Sequence, residues 1–200
     1  MRYIKTLGLA AMALAAMMAL AGTASATILT SPAGTTYTST VKAVNSGKVT
    51  LTSAFGGFGA VECEESVVEG KVEGHGSTVT VTGEIATLTF AKCTGGTPRS
   101  PVGVAANSGK RGSLEVHTEL STANGNGTVT SKGAEVIIDN TLFGTCTFTT
   151  SASGTDIGQL TGSDTGNAHF DIHGSIASPC GTGTWEGNYT IVTPSTLTVD

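Results

Sequence analysis

Charge is scarce in this chain. Only 12% of its residues are Asp, Glu, Lys or Arg, about half the usual share. Beyond residue 26 the balance is 8 basic against 15 acidic residues. An acidic chain with scattered lysines lacks the basic patch that nucleic acid or an anionic membrane surface requires. Aromatics are also few, with six Phe, three Tyr and one Trp in 200 residues. A carbohydrate platform of exposed rings is therefore not expected. Helical periodicity is missing, since no segment keeps the 3.6-residue spacing over ten residues. No fixed repeat of about 20–30 residues is present either, which argues against a β-solenoid.

The motifs of common site chemistry are missing too. There is no G-x-S-x-G elbow for a nucleophilic serine. No C-x-x-C or Cys/His spacing offers a zinc site, and no D-x-D-x-D-G run offers a calcium loop. Carboxylate pairs for sugar hydrolysis have no sequence signature. No catalytic residue is assigned, no cofactor is expected, and the chain is not expected to be an enzyme.

What is present begins at the N-terminus. Arg2 and Lys5 precede an apolar run from Leu7 to Ala21, and Ala24-Ser25-Ala26 supplies an A-x-A site. These are the three parts of a secretory signal peptide. The run is shorter than the roughly 20 residues of a membrane span. All four Met, at 1, 12, 17 and 18, lie within this segment. Cleavage is expected after Ala26, leaving a single domain over residues 27–200 with no membrane span. Secretion or display at the cell surface is the expected location, with no lipid or sortase attachment signal.

Four Cys, at 63, 93, 146 and 180, remain in that domain. An even count in an exported chain reads as two disulfides. Three pairings are open, and Cys63–Cys93 with Cys146–Cys180 is favoured because it closes similar loops in the two halves.

Thr (35 residues), Ser (18) and Gly (28) dominate the composition. Thr favours strands, while Gly and Ser mark turns. Most segments alternate with period two. Asn45-Ser46-Gly47 between Thr38–Val44 and Lys48–Thr52 reads as a hairpin turn. Along Glu84–Lys92, Ala86, Leu88 and Phe90 are placed on the core face, with Ile85 opposite. Residues from about 94 to 111 read as a surface connection between two β-rich halves. Gly70-Lys71-Val72-Glu73-Gly74 and Gly158-Gln159-Leu160-Thr161-Gly162 share G-x-h-x-G (h apolar), an echo consistent with duplication or with chance. The expected fold is all-β, a β-sandwich of about twelve short antiparallel strands with two disulfides.

Ser31-Pro32-Ala33-Gly34-Thr35, Gly112–His117, Asn126–Glu135, Cys146-Thr147-Phe148, Gly154–Gly158 and Trp185–Ile191 form a pattern spanning nearly the whole domain. It resembles a group of secreted β-rich actinobacterial proteins of unknown function. More distantly, the layout is similar to the exported activator-of-alkane-oxidation family. The resemblance implies an exported β protein with an accessory role near hydrophobic substrates. It carries over no catalytic or binding residue.

Three places could carry chemistry. In a strand, His169, Asp171 and His173 share one face and could approach a transition metal. At about 3.3 Å per residue they spread too far to meet one ion without a bulge, and an ordinary polar outer face is the plainer reading. Glu62, Glu64, Glu65, Glu69 and Glu73 gather around Cys63, as a weak calcium site or a solvated face. Trp185 and Tyr189 share a strand face, as a small binding surface or as core. Asn126 and Asn188 head glycosylation sequons.

The leading expectation is a non-enzymatic exported protein with a structural, adhesive or surface-binding role. It could associate with itself, through a strand edge ending at Val199, or with envelope or matrix components. The alternatives are a carrier of apolar small molecules, or a metal-binding or hydrolytic enzyme using the His169–His173 strand.

Overall fold

The computed structural model describes residues 27–32, 34–53, 60–75, 80–99, 112–118, 125–140 and 144–200. The signal segment and most of the 94–111 connection lie outside the described residues, as do the links at 76–79, 119–124 and 141–143. Every described element is a strand. In chain order these are β1 (Leu29–Thr30), β2 (Thr40–Asn45), β3 (Val49–Ser53), β4 (Ala60–His75) and β5 (Thr80–Thr94). Then come β6 (Thr97–Arg99), β7 (Ser113–Thr118), β8 (Gly127–Lys132), β9 (Glu135–Asn140) and β10 (Gly144–Thr149). The last four are β11 (Thr155–Thr161), β12 (His169–Ile176), β13 (Gly183–Thr193) and β14 (Thr198–Val199).

The main sheet closes on itself. β4, β5, β7, β8, β11, β12 and β13 pair in that order, all antiparallel. β2 and β3 then bridge β13 back to β4. The result is an eight-stranded closed barrel, not the expected sandwich. Two-residue alternation is common to both architectures and does not decide closure. The long β4 and β5, of 16 and 15 residues, coil around the barrel through bulges, which bend a strand and increase its twist.

β2 and β3 count as one strand, because the chain does not reverse between them. Thr40 pairs with Lys71 and Thr52 with Ala60, so the partner number falls throughout. Asn45-Ser46-Gly47 is thus an interruption within a strand rather than the expected hairpin turn. The Asn45 carboxamide patches the gap in the ladder. Its Nδ2 donates to the Glu64 carbonyl, and the Ser66 N–H donates to its Oδ1, both at 2.8 Å. On the other side, the Ser46 N–H donates to the Asn188 carbonyl at 2.8 Å.

Bulges also decide which residues face inward. Along β4 the register with β5 shifts at Glu69/Gly70, where Ala86 is the extra residue on β5. The side-chain alternation therefore slips by one. Ile85 is buried and Ala86 exposed, the reverse of the simple period-two assignment, while Leu88 and Phe90 do face the interior. At Gly158, where the register with β8 shifts, β12 lies close on the other side: a Cβ there would lie 1.8 Å from the Asp171 carbonyl oxygen.

Both disulfides pair as favoured, Cys63–Cys93 and Cys146–Cys180. The first joins directly opposed positions of β4 and β5 inside the barrel. The second holds a lid. β6, β9 and β10 form a separate three-stranded sheet. Its Val136, Ile138, Cys146 and Phe148 are buried, with the Phe148 ring against Gly183 at the end of β13. Cys180, in the β12–β13 link, ties this sheet to the barrel, and paired backbone hydrogen bonds between Thr149 and Ala177 support it.

The two ends of the chain meet in a clasp of β1 and β14. Ile28 and Asp200 exchange backbone hydrogen bonds of 2.8 and 2.9 Å. The Thr30 hydroxyl sits 2.6 Å from that of Thr198 and donates to Asp200 Oδ2 at 2.7 Å. The strand ending at Val199 is therefore already paired within the chain, which removes it as a free edge for self-assembly.

Alanine normally improves on glycine within a strand. Here Gly158→Ala should instead destabilise the fold by about 2–4 kcal/mol, the size of a severe backbone clash. Gly166→Ala, whose Cβ would meet nothing closer than 3.7 Å, should stay within about 0.5 kcal/mol. Urea denaturation of both variants checks the contrast.

Candidate ligand-binding cavity

Alternation along each barrel strand separates an apolar interior from a polar exterior. β12 is the clearest case. Phe170, Ile172 and Ile176 are buried, while His169, Asp171, His173 and Ser175 are exposed. The only large apolar residue exposed among the described residues is Val192. This polarity is the reverse of a transmembrane barrel, whose outer face carries the apolar band. No helix among the described residues is long and apolar enough to cross a membrane.

The interior is not filled evenly. In the lid-side half, large rings occupy it. Phe90, Trp185 and Tyr189 form a chain of edge contacts with centroids 6.3 Å apart, and Phe170 continues it from Tyr189. Trp185 and Tyr189 thus share a face, as their spacing implies, but that face is the barrel core and makes no outer binding surface. The Tyr189 hydroxyl hydrogen-bonds Ser66 Oγ at 2.9 Å. Burial pushes its phenol up to about 12, with the Ser66 bond and the nearby Trp185 easing the shift. The buried Trp185 Nε1–H itself makes no hydrogen bond of acceptable geometry.

The opposite half, towards the β1–β14 clasp, holds small side chains and leaves a half-open cavity of about 100 Å³. All eight barrel strands line it. β2 supplies Val41 and Ala43, and β4 supplies Val68 and Val72. Leu114 and Val116 come from β7, and Leu160, Phe170 and Ile191 from β11, β12 and β13. Leu29 and Leu197 of the clasp region stand at its end. Two inward positions, Gly70 on β4 and Gly83 on β5, carry no side chain, and this keeps the space open. A Cβ at Gly70 would press on the Glu84 carbonyl oxygen at 2.8 Å, so a larger residue is disfavoured there.

The wall is almost entirely apolar. Among the described lining residues, Thr82 and Lys71 alone have polar side chains, and each lies between two inward-facing neighbours, so these side chains are directed to the outer face. Such a space stays dry and takes apolar guests, as engineered cavities of about 150 Å³ do. Eight strands make a bore that side chains can just fill, or that can hold one small ligand. Sequence reasoning did not find this site. Its signal is faint, amounting to glycine at inward positions of two neighbouring strands.

The other candidate places do not converge. His169 and His173 lie on the outer face, His169 Nδ1 3.5 Å from Thr190 Oγ1 and His173 Nδ1 3.4 Å from Glu186 Oε1. Among the described residues no group of three or more His, Cys, Asp or Glu side chains could hold a metal ion. The glutamates near Cys63 are drawn apart by lysines. Glu62 pairs with Lys48 at 2.7 Å, Glu65 with Lys92 at 2.5 Å and Glu69 with Lys42 at 4.0 Å. Hydrogen bonds to Glu62 and Glu65 hold the Lys48 and Lys92 ammonium groups above the ordinary lysine value.

Fold and site together define an up-and-down antiparallel barrel, with a small lid sheet at one end and an apolar cavity towards the clasp at the other. No protein family, no curated protein and no solved structure matched the chain.

The Tyr189 environment gives a pH signature. Below about pH 10 the phenol is neutral in both folded and unfolded chains. Above that the unfolded chain ionises, while the folded one holds its proton to about 12. Stability contributed by the neutral phenol is therefore lost as pH rises through this window. Between pH 10 and 12, the stability difference between the wild type and Tyr189→Phe should shrink by about 2 kcal/mol. Urea midpoints at several pH values measure it.

Proposed function

We propose that the protein is an exported, non-enzymatic carrier that takes up small apolar molecules in the clasp-side cavity of its barrel. The observation that carries this reading is the cavity of about 100 Å³ with an almost wholly apolar wall. Ligand sites are typically concave, apolar and largely pre-formed. Two disulfides are compatible with export. The accessory role near hydrophobic substrates, implied by the distant resemblance, is of the same kind. A purely structural or adhesive role is supported less well. That reading rests on the lack of a convergent polar motif, and the strand edge ending at Val199 that could have served self-association is paired within the chain.

Titration with N-phenyl-1-naphthylamine, an uncharged apolar fluorophore, tests the proposal. Saturable one-to-one binding is expected, with emission of the single Trp185 changing in parallel. Ligand at a hundredfold excess over Kd should raise stability by about 2.7 kcal/mol. Val116→Phe, which places a ring in the cavity from β7, should weaken binding at least tenfold while circular dichroism stays unchanged. Val81→Phe provides the same test from β5 if the first variant fails to fold. Non-saturating binding, or binding that a filled cavity leaves intact, would overturn the reading.

A further inference from the structure

We infer that the ligand is a single-ring hydrocarbon of about six to eight carbons, its ring seated in the clasp-side cavity, and that Gly83 sets the size limit. The inference rests on the carrier reading and adds the size and polarity of the guest.

Volume sets the first bound. The cavity of about 100 Å³ is smaller than the roughly 150 Å³ of an apolar cavity that takes benzene. It is half-open, so a ring fills it and only a short substituent extends towards solvent. Shape sets the second bound. Gly70 pairs with Ile85 and Gly83 with Val72 on the adjacent strands β4 and β5. The two missing side chains therefore adjoin, and they widen the bore crosswise. The three atoms nearest to a Cβ at Gly83 would all be backbone, of Lys71 and Leu114, at 3.2 to 3.9 Å. The space in front of Gly83 is thus left to a flat guest, and Phe170 in the wall offers a ring an edge or face contact. Polarity sets the third bound. The Lys71 and Thr82 side chains are directed outward, so no described side chain in the wall offers a guest a hydrogen bond. Backbone groups near the bulges are taken as well. The Ile85 N–H donates to the Gly112 carbonyl at 3.0 Å, and the Val72 N–H donates to the Ser39 carbonyl at 3.2 Å. A hydroxyl, amine or carboxylate carried into the cavity would lose water and gain no partner.

Calorimetric titration with para-disubstituted rings tests this, because such a ring buries one substituent whichever way it enters. p-Xylene should bind one-to-one, and hydroquinone, its near-isostere with two hydroxyls, about a hundredfold more weakly. p-Cresol, which can turn its hydroxyl to solvent, should fall between them. From benzene through toluene to ethylbenzene, affinity should rise about fourfold per carbon, and from ethylbenzene to n-butylbenzene it should level off. Gly83→Ala adds one methyl group to the wall and should weaken p-xylene about tenfold while changing benzene less than about threefold. If that variant does not fold, Val116→Ala, which enlarges the cavity from β7, should move the levelling point about one carbon further. N-phenyl-1-naphthylamine, seated by its phenyl ring, reports on the carrier reading in the same samples. The inference is overturned if hydroquinone matches p-xylene, if affinity keeps climbing to n-butylbenzene, if Gly83→Ala binds p-xylene as the wild type does, or if no ring binds. Saturable fluorophore binding would in each of these cases leave the carrier reading standing. If neither the rings nor the fluorophore bind, both fall.

Discussion

The ladder that returns β13 to the start of the barrel is the constraint on which the rest of the structure depends. β13 pairs with β12 along eight residues, from His169↔Thr190 to Ile176↔Gly183. Its other edge pairs with β2 near one end and with β3 near the other. Without this double pairing the sheet would be open, with two edges exposed to other chains. With it, each strand has a fixed inner and outer side. Because β13 carries Trp185, Tyr189 and Ile191 on its inner side, the closing strand also supplies much of the core it encloses.

Closure demands that regular strands bend, and the bending is done at bulges. Glu69/Gly70 and Asp156/Gly158 are both register shifts, and each coincides with the first glycine of a G-x-h-x-G echo. At both, the neighbouring strand comes close enough that a Cβ would meet a carbonyl oxygen, of Glu84 or of Asp171. The echo has a geometric origin in each strand separately, since a bulge beside a close carbonyl favours a residue without a side chain. β4 and β11 stand four places apart in the ring of eight. The extra residues are Ala86 on β5, paired to β4, and Ile157 on β11, so the two shifts bend separate parts of the sheet.

Much of the local structure was legible in the sequence. The alternation of Phe170 and Ile172 against His169, Asp171 and His173 gives the two faces of β12 directly. The spacing of four between Trp185 and Tyr189 puts both rings on one side. Cysteine positions in two similar loops point to the pairing found. What was not legible is what depends on partners. Asn45-Ser46-Gly47 has the composition of a turn, and only the registers of β4 and β13 reveal that the chain continues in the same direction. Ile85 faces inward because Ala86 is an extra residue opposite β4, and a period-two count along β5 alone has no access to that. Sandwich and barrel share the same alternation. They differ in whether the last strand finds the first, which no local pattern encodes. The cavity was hidden for a related reason: Gly70 and Gly83 look like strand breakers until pairing places both on the inside.

The position of the cavity follows from how side-chain volume is shared along the barrel axis. A bore set by eight strands has roughly constant width, so large residues fill it and small ones leave room. Phe90, Trp185 and Tyr189 occupy the half beneath the lid, with Phe148 closing that end. Ala43, Gly70 and Gly83, with several valines, line the other half. Unfilled space in an apolar core costs roughly 24 cal/mol per Å³, so a cavity of about 100 Å³ forfeits up to about 2 kcal/mol of packing. The lid-side half shows that this chain does fill the same bore where large rings are present. In the clasp-side half the unfilled volume is a standing driving force, because an apolar guest that enters regains the dispersion contacts the wall lacks.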